Sequence, residues 1–125
     1  INGGDQLDLM GQENAESAGS RQLSGIGGQM DFLEGAFRSR GGRGYICINS
    51  SRRDKEGNLR SNIVPTIPGG STISVPRTMV ECVATEYGVA HLHGLSLGER
   101  AAAMAAIAHP DFREELYKYA QENFY

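Results

Sequence analysis

The sequence has no long apolar run, no leader-like start and no concentration of positive charge. No stretch approaches the roughly 20 consecutive apolar residues of a membrane span, and residues 1–8 lack the charged start and apolar middle of a signal peptide. The 12 Lys and Arg residues are outnumbered by 15 Asp and Glu residues and are scattered, which argues against a nucleic-acid surface. We therefore expect a cytoplasmic protein without a membrane or nucleic-acid partner.

One short basic run, formed by Arg38, Arg40 and Arg43, departs from this scatter. Its place favours a solvated helix end and turn, because the helix dipole stabilises cations there. A phosphate contact is the alternative interpretation.

Cysteine and histidine are also scarce. Cys47 and Cys82 lie in the apolar runs YICI and VECVA, where a buried free thiol is commoner than a disulfide or a metal ligand. His91 and His93 flank Leu92 and would face the same way on a strand, but no Cys or acidic residue has a matching spacing. The sequence therefore predicts two buried, unpaired thiols and no metal site.

What the sequence does contain is the composition of one globular domain. Its 125 residues are 39% hydrophobic and 22% charged, which is enough for a core. The opening INGGDQLDLMGQEN has no leading Met and starts as though inside a strand. We expect residues 1–125 to be one domain of a longer chain; processing or truncation would explain the start.

Hydrophobic patterns in the first half predict a strand, a loop and a helix. Alternation in QLDLMG predicts a half-buried strand ending at Gly11, and the polar segment 12–24 predicts a loop crossing the surface. A helix is expected from Gln29 or Asp31 to the pair Gly41 and Gly42. Its buried face has the spacing of an amphipathic helix and consists of Met30, Phe32, Leu33, Ala36 and Phe37.

The second half predicts a sheet followed by two helices. Residues 45–49 predict a central strand and residues 51–62 an exposed hairpin that turns at Gly57-Asn58. Further extended segments are expected at residues 63–66, 72–75, 80–85 and 89–90. Ser96 and Glu99 form a capping box that opens a helix, His109-Pro110 ends it, and a last helix starts near Asp111 with Phe112, Leu116 and Tyr119 on one face. The fold class is therefore α/β, an open sheet with flanking helices.

The glycine-rich loop Gly25-Ile26-Gly27-Gly28 stands just before the first predicted helix. Glycines there permit positive φ and let backbone N–H groups point into open space, where they can hold a phosphate, a carboxylate or an oxyanion. The loop has neither the Gly-Lys-Ser/Thr of a P-loop nor the spacing of a dinucleotide fingerprint. Spacing alone slightly favours a tight packing turn over an anion site.

Two other groups of polar residues invite a functional interpretation. Glu86 and Tyr87 follow a predicted strand, where α/β proteins collect site residues, although packing by Tyr87 and capping by Glu86 is the commoner outcome. Ser17, Ser20 and Ser24 carry hydroxyls, but no nucleophile-elbow pattern surrounds them.

Four motifs together resemble a known family. The segments GQENAES, SGIGGQMDFLEGA, NIVPTIP and VATEYGVAHLHGLSLGERAAAMAAIAHPDFREEL resemble the C-terminal domain of the acetyl-CoA hydrolase/transferase family, which includes acetate, butyrate and 4-hydroxybutyrate CoA-transferases. The resemblance covers essentially the whole chain. It implies a fold of two similar open α/β domains, of which this chain is the second, and a homodimer.

The resemblance also implies a chemistry. A glutamate carboxylate attacks the acyl-CoA and passes through an anhydride to a glutamyl-CoA thioester, which the acceptor carboxylate then attacks. That glutamate lies upstream of the matched segment in the family. None of Glu13, Glu16, Glu34 or Glu86 is therefore assigned the role of nucleophile.

The family resemblance implies a site for coenzyme A and the acyl group at the glycine loop. Gly27 and Gly28 would supply main-chain N–H groups to the acyl oxygen and the thioester, and Gly25, Ile26 and Gln29 would border them. Asn14 and Ser17 are weaker candidates for polar contacts to substrate or CoA.

The chain also departs from the family pattern. Residues 3–6 (GGDQ) stand where relatives carry Ala-Leu-Glu, and His93 stands where an arginine is common. Because histidine is charged only below about pH 6.5, this replacement puts substrate preference or local pairing in question. Two alternatives to a transferase remain: an acyl-CoA hydrolase of the same family, and a CoA-binding domain without catalysis.

Overall fold

The structure is a computed structural model that describes all residues 1–125. It contains eleven short strands and three helices. The strands are β1 Asn2–Gly3, β2 Gln6–Asp8, β3 Glu13–Asn14, β4 Ser17–Ala18, β5 Arg21–Gln22, β6 Tyr45–Cys47, β7 Ser51–Arg53, β8 Leu59–Ser61, β9 Ile63–Val64, β10 Cys82–Thr85 and β11 Gly88–His91. The helices are α1 Gln29–Arg38, α2 Leu97–Ala106 and α3 Pro110–Phe124.

The main sheet has the strand order β1-β6-β10-β11. Strands β1, β6 and β10 run parallel, and β11 returns antiparallel from β10 through a tight turn. The predicted central strand at residues 45–49 is confirmed in type and position, since β6 has a partner on each side, but it ends at Cys47. Since parallel strands end at one edge of a sheet, Gly4, Asn49 and Glu86 come together at the carboxyl edge.

A second sheet, of order β3-β2-β9, contradicts two predictions about the first half. Leu7, Asp8 and Leu9 are all buried, so β2 is not half-buried. The predicted surface loop at residues 12–24 is wrong in its first part, because Glu13, Asn14 and Ser17 are buried, whereas residues 18–24 are exposed as predicted. Asn14 and Ser17 bond to each other and to Thr72, which offsets the cost of burying their polar groups. The Glu13 carboxylate accepts from Gln29.

Helix α1 begins at Gln29 and ends at Arg38, just before the glycine pair, but the predicted burial of Phe32 and Phe37 is wrong. Leu33 alone is buried on this helix, against Gly44, whereas Phe32 is 70% and Phe37 65% exposed. Met30 packs against the core from the first turn, and Phe37 contacts the His93 ring edge-on, so the apolar face is only partly covered. Arg38 lies in the last turn and pairs with Glu34 at 2.9 Å, as a helix-end cation is expected to do.

Helices α2 and α3 pack on each other and on the sheet. The capping box is confirmed: Ser96 N–H donates to Glu99 Oε2 at 2.8 Å, and Glu99 N–H donates to Ser96 Oγ at 3.3 Å. Helix α3 starts at Pro110, with His109 as its N-cap. None of the helices combines the length and the apolar character needed to cross a bilayer.

Of the remaining predictions, one is confirmed and two are wrong in part. The hairpin at residues 51–62 is confirmed as β7 and β8, with φ of 82° at Gly57. Residues 72–75 form only one isolated bridge, Glu13 to Val75, because the hydroxyls of Thr72 and Ser74 bond to side chains of residues 14–17. Both thiols are free, but the prediction that Cys47 is buried is wrong, since it lies exposed at the carboxyl edge.

Candidate functional site

The carboxyl edge of the main sheet carries an open cleft of about 390 Å³, which we call the edge cleft. It lies where the three parallel strands end, the usual position of ligand sites in open α/β sheets. Its lining consists of Gly4, Cys47, Ile48, Asn49, Ala84, Thr85 and Glu86.

A larger depression of about 500 Å³ adjoins the edge cleft, and we call it the polar cleft. Gly4 and Asn49 line both clefts, so the two form one continuous surface. Arg52 and Asp5 are its charged lining residues. Arg52 is oriented by Asn62, which accepts from its Nη1 at 2.7 Å and itself donates to the Asn49 carbonyl at 2.8 Å.

Glu86 and Tyr87 separate into two roles. Glu86 lines the edge cleft and accepts from the Ser50 N–H at 2.8 Å. Partial burial opposes its charged form, but hydrogen bonds from Ser50 outweigh that effect and lower the pKa of Glu86. Tyr87 instead packs against the helical layer, with Arg113 5.0 Å from its ring centre and His109 edge-on.

Asn14 and Ser17 form a hydrogen-bonded unit. Asn14 Nδ2 donates to the carbonyl and the Oγ of Ser17, at 3.0 Å each, and Asn14 Oδ1 accepts from the Ser17 N–H. Thr72 joins them through its hydroxyl. Ser17 reaches the polar cleft, whereas Asn14 lies behind it and is 1% exposed.

The glycine loop is exposed from Gly25 to Gly28. Gly27 has φ of 65°, and a Cβ added at Gly25 or Gly27 would meet nothing within 4 Å. The backbone hydrogen bonds outside helices and strands include none donated by residues 25–28. The loop therefore presents unbonded N–H groups at the N-terminal end of α1, where the helix dipole favours negative charge.

Gln29 links this loop to the interior. Its Nε2 donates to both carboxylate oxygens of Glu13, at 3.0 Å and 2.8 Å. Glu13 is 0% exposed, and burial is the main cause that raises its pKa to about 7. The buried position of Glu13 was not predicted, because it lies in a polar segment without the apolar periodicity that indicates burial.

The two histidines do not form a common site. His91 Nδ1 lies 3.2 Å from Cys82 Sγ, and the His93 ring lies edge-on to Phe37 with centres 6.0 Å apart. Strand β11 ends at His91, so the alternation that would align them does not continue. The structure contains no group of three His, Cys, Asp or Glu residues placed to hold a metal ion.

The parallel strands, their carboxyl-edge clefts and the glycine loop define an α/β domain of the kind that binds ligands beyond its strand ends. Residues 1–120 match the family model described as the acetyl-CoA hydrolase/transferase C-terminal domain. The chain therefore belongs to this family, as its motifs predicted.

Individual relatives agree with this assignment. The chain is 46% identical to the butyryl-CoA:acetate CoA-transferase of Anaerostipes caccae, covering 98% of this chain and 27% of the relative. It is 46% identical to the 4-hydroxybutyrate coenzyme A transferase of Clostridium kluyveri, covering 99% and 28%. The crystal structure of RipA from Yersinia pestis superposes with a TM-score of 0.80 at 40% identity, covering 98% and 27%. The chain thus spans about a quarter of the length of these relatives.

Proposed function

We propose that this chain is the C-terminal domain of a CoA-transferase that moves CoA between an acyl-CoA and a short-chain carboxylate of the acetate, butyrate or 4-hydroxybutyrate type. Family membership over residues 1–120 supports the class of reaction. The observation that carries the role of this domain is the row of unbonded N–H groups in residues 25–28, at the start of α1.

The proposed reaction keeps the thioester energy in a covalent intermediate. A glutamate from an upstream domain attacks the thioester carbonyl of acyl-CoA. The C–S bond breaks, CoA departs as the thiolate, and an acyl-glutamyl anhydride is formed. The thiolate attacks the glutamyl carbonyl and expels the donor carboxylate, forming glutamyl-CoA. The acceptor carboxylate then repeats the two exchanges in reverse, which produces the new acyl-CoA and frees the glutamate.

The four glutamates that lie in or near the matched motifs, Glu13, Glu16, Glu34 and Glu86, make other contacts. Glu34 pairs with Arg38 on the exposed side of α1, and Glu16 accepts from Ser74 and Gln22. Glu13 is buried, and Glu86 is held by Ser50. These contacts support a nucleophile supplied from outside residues 1–125.

The glycine loop would stabilise the oxyanion that forms at each attack. Such stabilisation requires N–H donors about 2.7–3.1 Å from the developing charge, in a region that a side chain would obstruct. Gly27 and Gly28 would supply the donors, with Gly25, Ile26 and Gln29 beside them. We place part of coenzyme A in the polar cleft, where Ser17 lines the wall and Asn14 supports it.

The same chemistry accommodates a hydrolase, in which water replaces the acceptor carboxylate, and the family name covers both activities. A domain that binds CoA without catalysis is the remaining alternative. We further propose that the upstream domain belongs to the same protein, and that the protein is a cytoplasmic homodimer.

The test uses the complete protein with acetyl-CoA as donor and butyrate as acceptor. Transfer yields butyryl-CoA, whereas a hydrolase releases free CoA at a rate independent of butyrate. Intact mass after mild borohydride treatment reports the glutamyl-CoA intermediate. Protein that binds CoA but shows neither turnover nor a trapped intermediate would support the non-catalytic alternative.

Two loop variants test the role of the glycines. Gly28 has φ of −104°, which any residue can adopt, and a Cβ there has room, so Gly28→Val tests obstruction of the donors without backbone strain. Gly27→Val adds strain at positive φ. We expect both to lower kcat by about 100-fold or more. Gly57→Val is the matched control, because Gly57 also has positive φ and open space but lies in the distant hairpin. Retained turnover in the loop variants would remove the loop from the mechanism.

A further inference from the structure

Glu13 is an unusual residue for the interior, because its carboxylate has no cationic partner. The ion pairs of the structure involve Arg38, Arg60 and His109, and none reaches Glu13. One amide nitrogen, Gln29 Nε2, serves both of its oxygens, although a carboxylate can accept about four hydrogen bonds. A buried charge satisfied this sparsely costs stability, so its presence calls for a role outside packing.

The backbone around Glu13 is firmly held. Its N–H donates to the Val75 carbonyl at 3.0 Å, and its own carbonyl accepts from Ser74 and Val75 at 2.7 Å and 3.2 Å. Leu7 is its partner in the second sheet. The position of the Glu13 carboxylate is therefore set by the second sheet and not by the glycine loop.

The carboxylate lies between the clefts and the glycine loop. On one side, a Cβ added to Gly4 would come within 2.7 Å of Glu13 Oε1, so the carboxylate lies directly behind the residue that lines both clefts. On the other side it holds Gln29, the first residue of α1, which follows the glycine loop directly. Gly4, Glu13 and Gln29 therefore form a continuous connection from the carboxyl edge to the loop.

We propose that Glu13 is a positioning residue: through Gln29 it holds the start of α1, and with it the N–H groups of the glycine loop, in register with the edge cleft, and its ionisation sets how firmly they are held. This inference rests on the transferase function proposed above. Glu13 itself touches no reacting atom in this assignment.

The residues around Glu13 determine which groups raise or lower the pKa of its carboxyl. Asp5 is the charged group that faces it, and its negative charge adds to the effect of burial. Gln29, from α1, opposes them by hydrogen bonding. Gly4, Ile46 and Ile48 of the main sheet and Leu7 and Val75 beside it offer no ionisable group. An inflection near pH 7 that Glu13→Gln removes would therefore belong to Glu13, and Gln29 is the side chain whose hydrogen bond lowers the pKa of that carboxyl.

The direction of the effect follows from the hydrogen bond. Ionised Glu13 accepts from Gln29 through both oxygens, and the protonated form loses charge from that bond. Because charge-assisted hydrogen bonds are roughly twice as strong as neutral ones, we expect kcat to rise about fivefold as pH increases through the titration of Glu13. KM is expected to stay unchanged, since the residue does not contact substrate.

The first experiment measures kcat and KM against pH in the complete protein. We expect an inflection near the pKa of about 7 in the wild type and none in Glu13→Gln or in Gln29→Leu, because Gln29 is the contact through which the carboxylate holds the start of α1. Glu34→Gln, on the exposed side of the same helix, is the matched control and should keep the wild-type profile. The same inflection in Glu13→Gln as in the wild type would overturn the proposal.

A second experiment does not depend on turnover. Hydrogen exchange of the Phe32 amide, which donates to the Gly28 carbonyl at 3.1 Å, reports how firmly the loop is held to the start of α1 once the intrinsic pH dependence is corrected for. Protection should rise about fivefold through the same pH range in the wild type and in Glu34→Gln, and should be flat in Glu13→Gln. Protection that does not depend on Glu13 would overturn the proposal. A Glu13-dependent change in a protein without transferase activity would retain the positioning contact and reject the proposed reaction instead.

Discussion

Two turns of this molecule have nearly the same hydrogen bonds and opposite surroundings. In residues 8–12 (DLMGQ), Asp8 Oδ1 accepts from the N–H groups of Met10 and Gln12, both at 3.0 Å. In residues 54–58 (DKEGN), Asp54 Oδ1 accepts from the N–H groups of Glu56 and Asn58, both at 2.9 Å. The first turn connects strands of the buried second sheet, and the second is the tip of the exposed hairpin.

The backbones of the two turns agree as well. Gly11 N–H donates to the Asp8 carbonyl and Gly57 N–H to the Asp54 carbonyl, at 3.0 Å in each case. Both glycines have positive φ, 87° and 82°. An aspartate followed three residues later by glycine therefore encodes the turn, since its side chain caps the backbone and glycine accepts the left-handed conformation.

The two turns differ in the two residues that lie between the aspartate and the glycine. Leu9 and Met10 are 0% and 8% exposed, whereas Lys55 and Glu56 project into solvent. Local chemistry thus determines the shape of the turn, and the intervening side chains determine whether the core covers it. The same hydrogen bonds should then have very different energetic weight in the two places, because unmade bonds are costly only where water cannot replace them.

The largest effect should come from removing the aspartate of the buried turn. Asp8→Ala leaves the N–H groups of Met10 and Gln12 and the amide of Gln12 without acceptors inside the protein, which should cost about 3 kcal/mol of unfolding free energy. Asp54→Ala is the matched control, and we expect a clearly smaller loss because water reaches that turn. Chemical denaturation of both variants measures the difference, and equal losses would show that burial does not set the weight of these bonds.

This comparison explains which parts of the structure could be predicted from sequence. The hairpin at 51–62 and the capping box of Ser96 and Glu99 were predictable because every partner lies a few residues away. The burial of Asn14 and Ser17 was not, because Thr72, which bonds to both, lies 58 and 55 residues along the chain. A polar sequence carries no local sign of partners so distant.

The site shows the same division. The glycine loop and its place before a helix were readable as a local pattern, and the motifs identified the family. The connection from Gly4 through Glu13 to Gln29 was not readable, because it joins a strand end, a second sheet and a helix start. The predicted burial of Phe32 and Phe37 was wrong for a related reason. Apolar periodicity predicts that a helix face is covered, but it does not show which part of the protein covers it.

A smaller difference in stability is expected between alanine substitutions of the turn glycines, Gly11 and Gly57. Gly11→Ala places a methyl group 2.9 Å from Leu92 Cδ1 and 3.2 Å from Arg100 Nη1, in addition to the strain of positive φ. We expect a loss of about 2–3 kcal/mol. At Gly57 the added Cβ meets open space, so Gly57→Ala should cost only the backbone strain of about 1 kcal/mol. Thermal unfolding of the two variants tests this, and a cost at Gly57 as large as that at Gly11 would rule out crowding as the cause.

The smallest effect should come from giving the exposed turn the apolar residues of the buried one. Lys55→Leu with Glu56→Met leaves both hydrogen bonds to Asp54 Oδ1 in place, since their donors are the backbone N–H groups of residues 56 and 58. No core lies over the hairpin tip, so the new side chains gain no burial, and the unfolding free energy should stay within about 0.5 kcal/mol of the wild type. Backbone chemical shifts of residues 54–58 check whether the turn persists. A changed turn would mean that residues 55 and 56 also influence the backbone conformation. The aspartate and the glycine alone would then not explain why two regions with such different surroundings share one geometry.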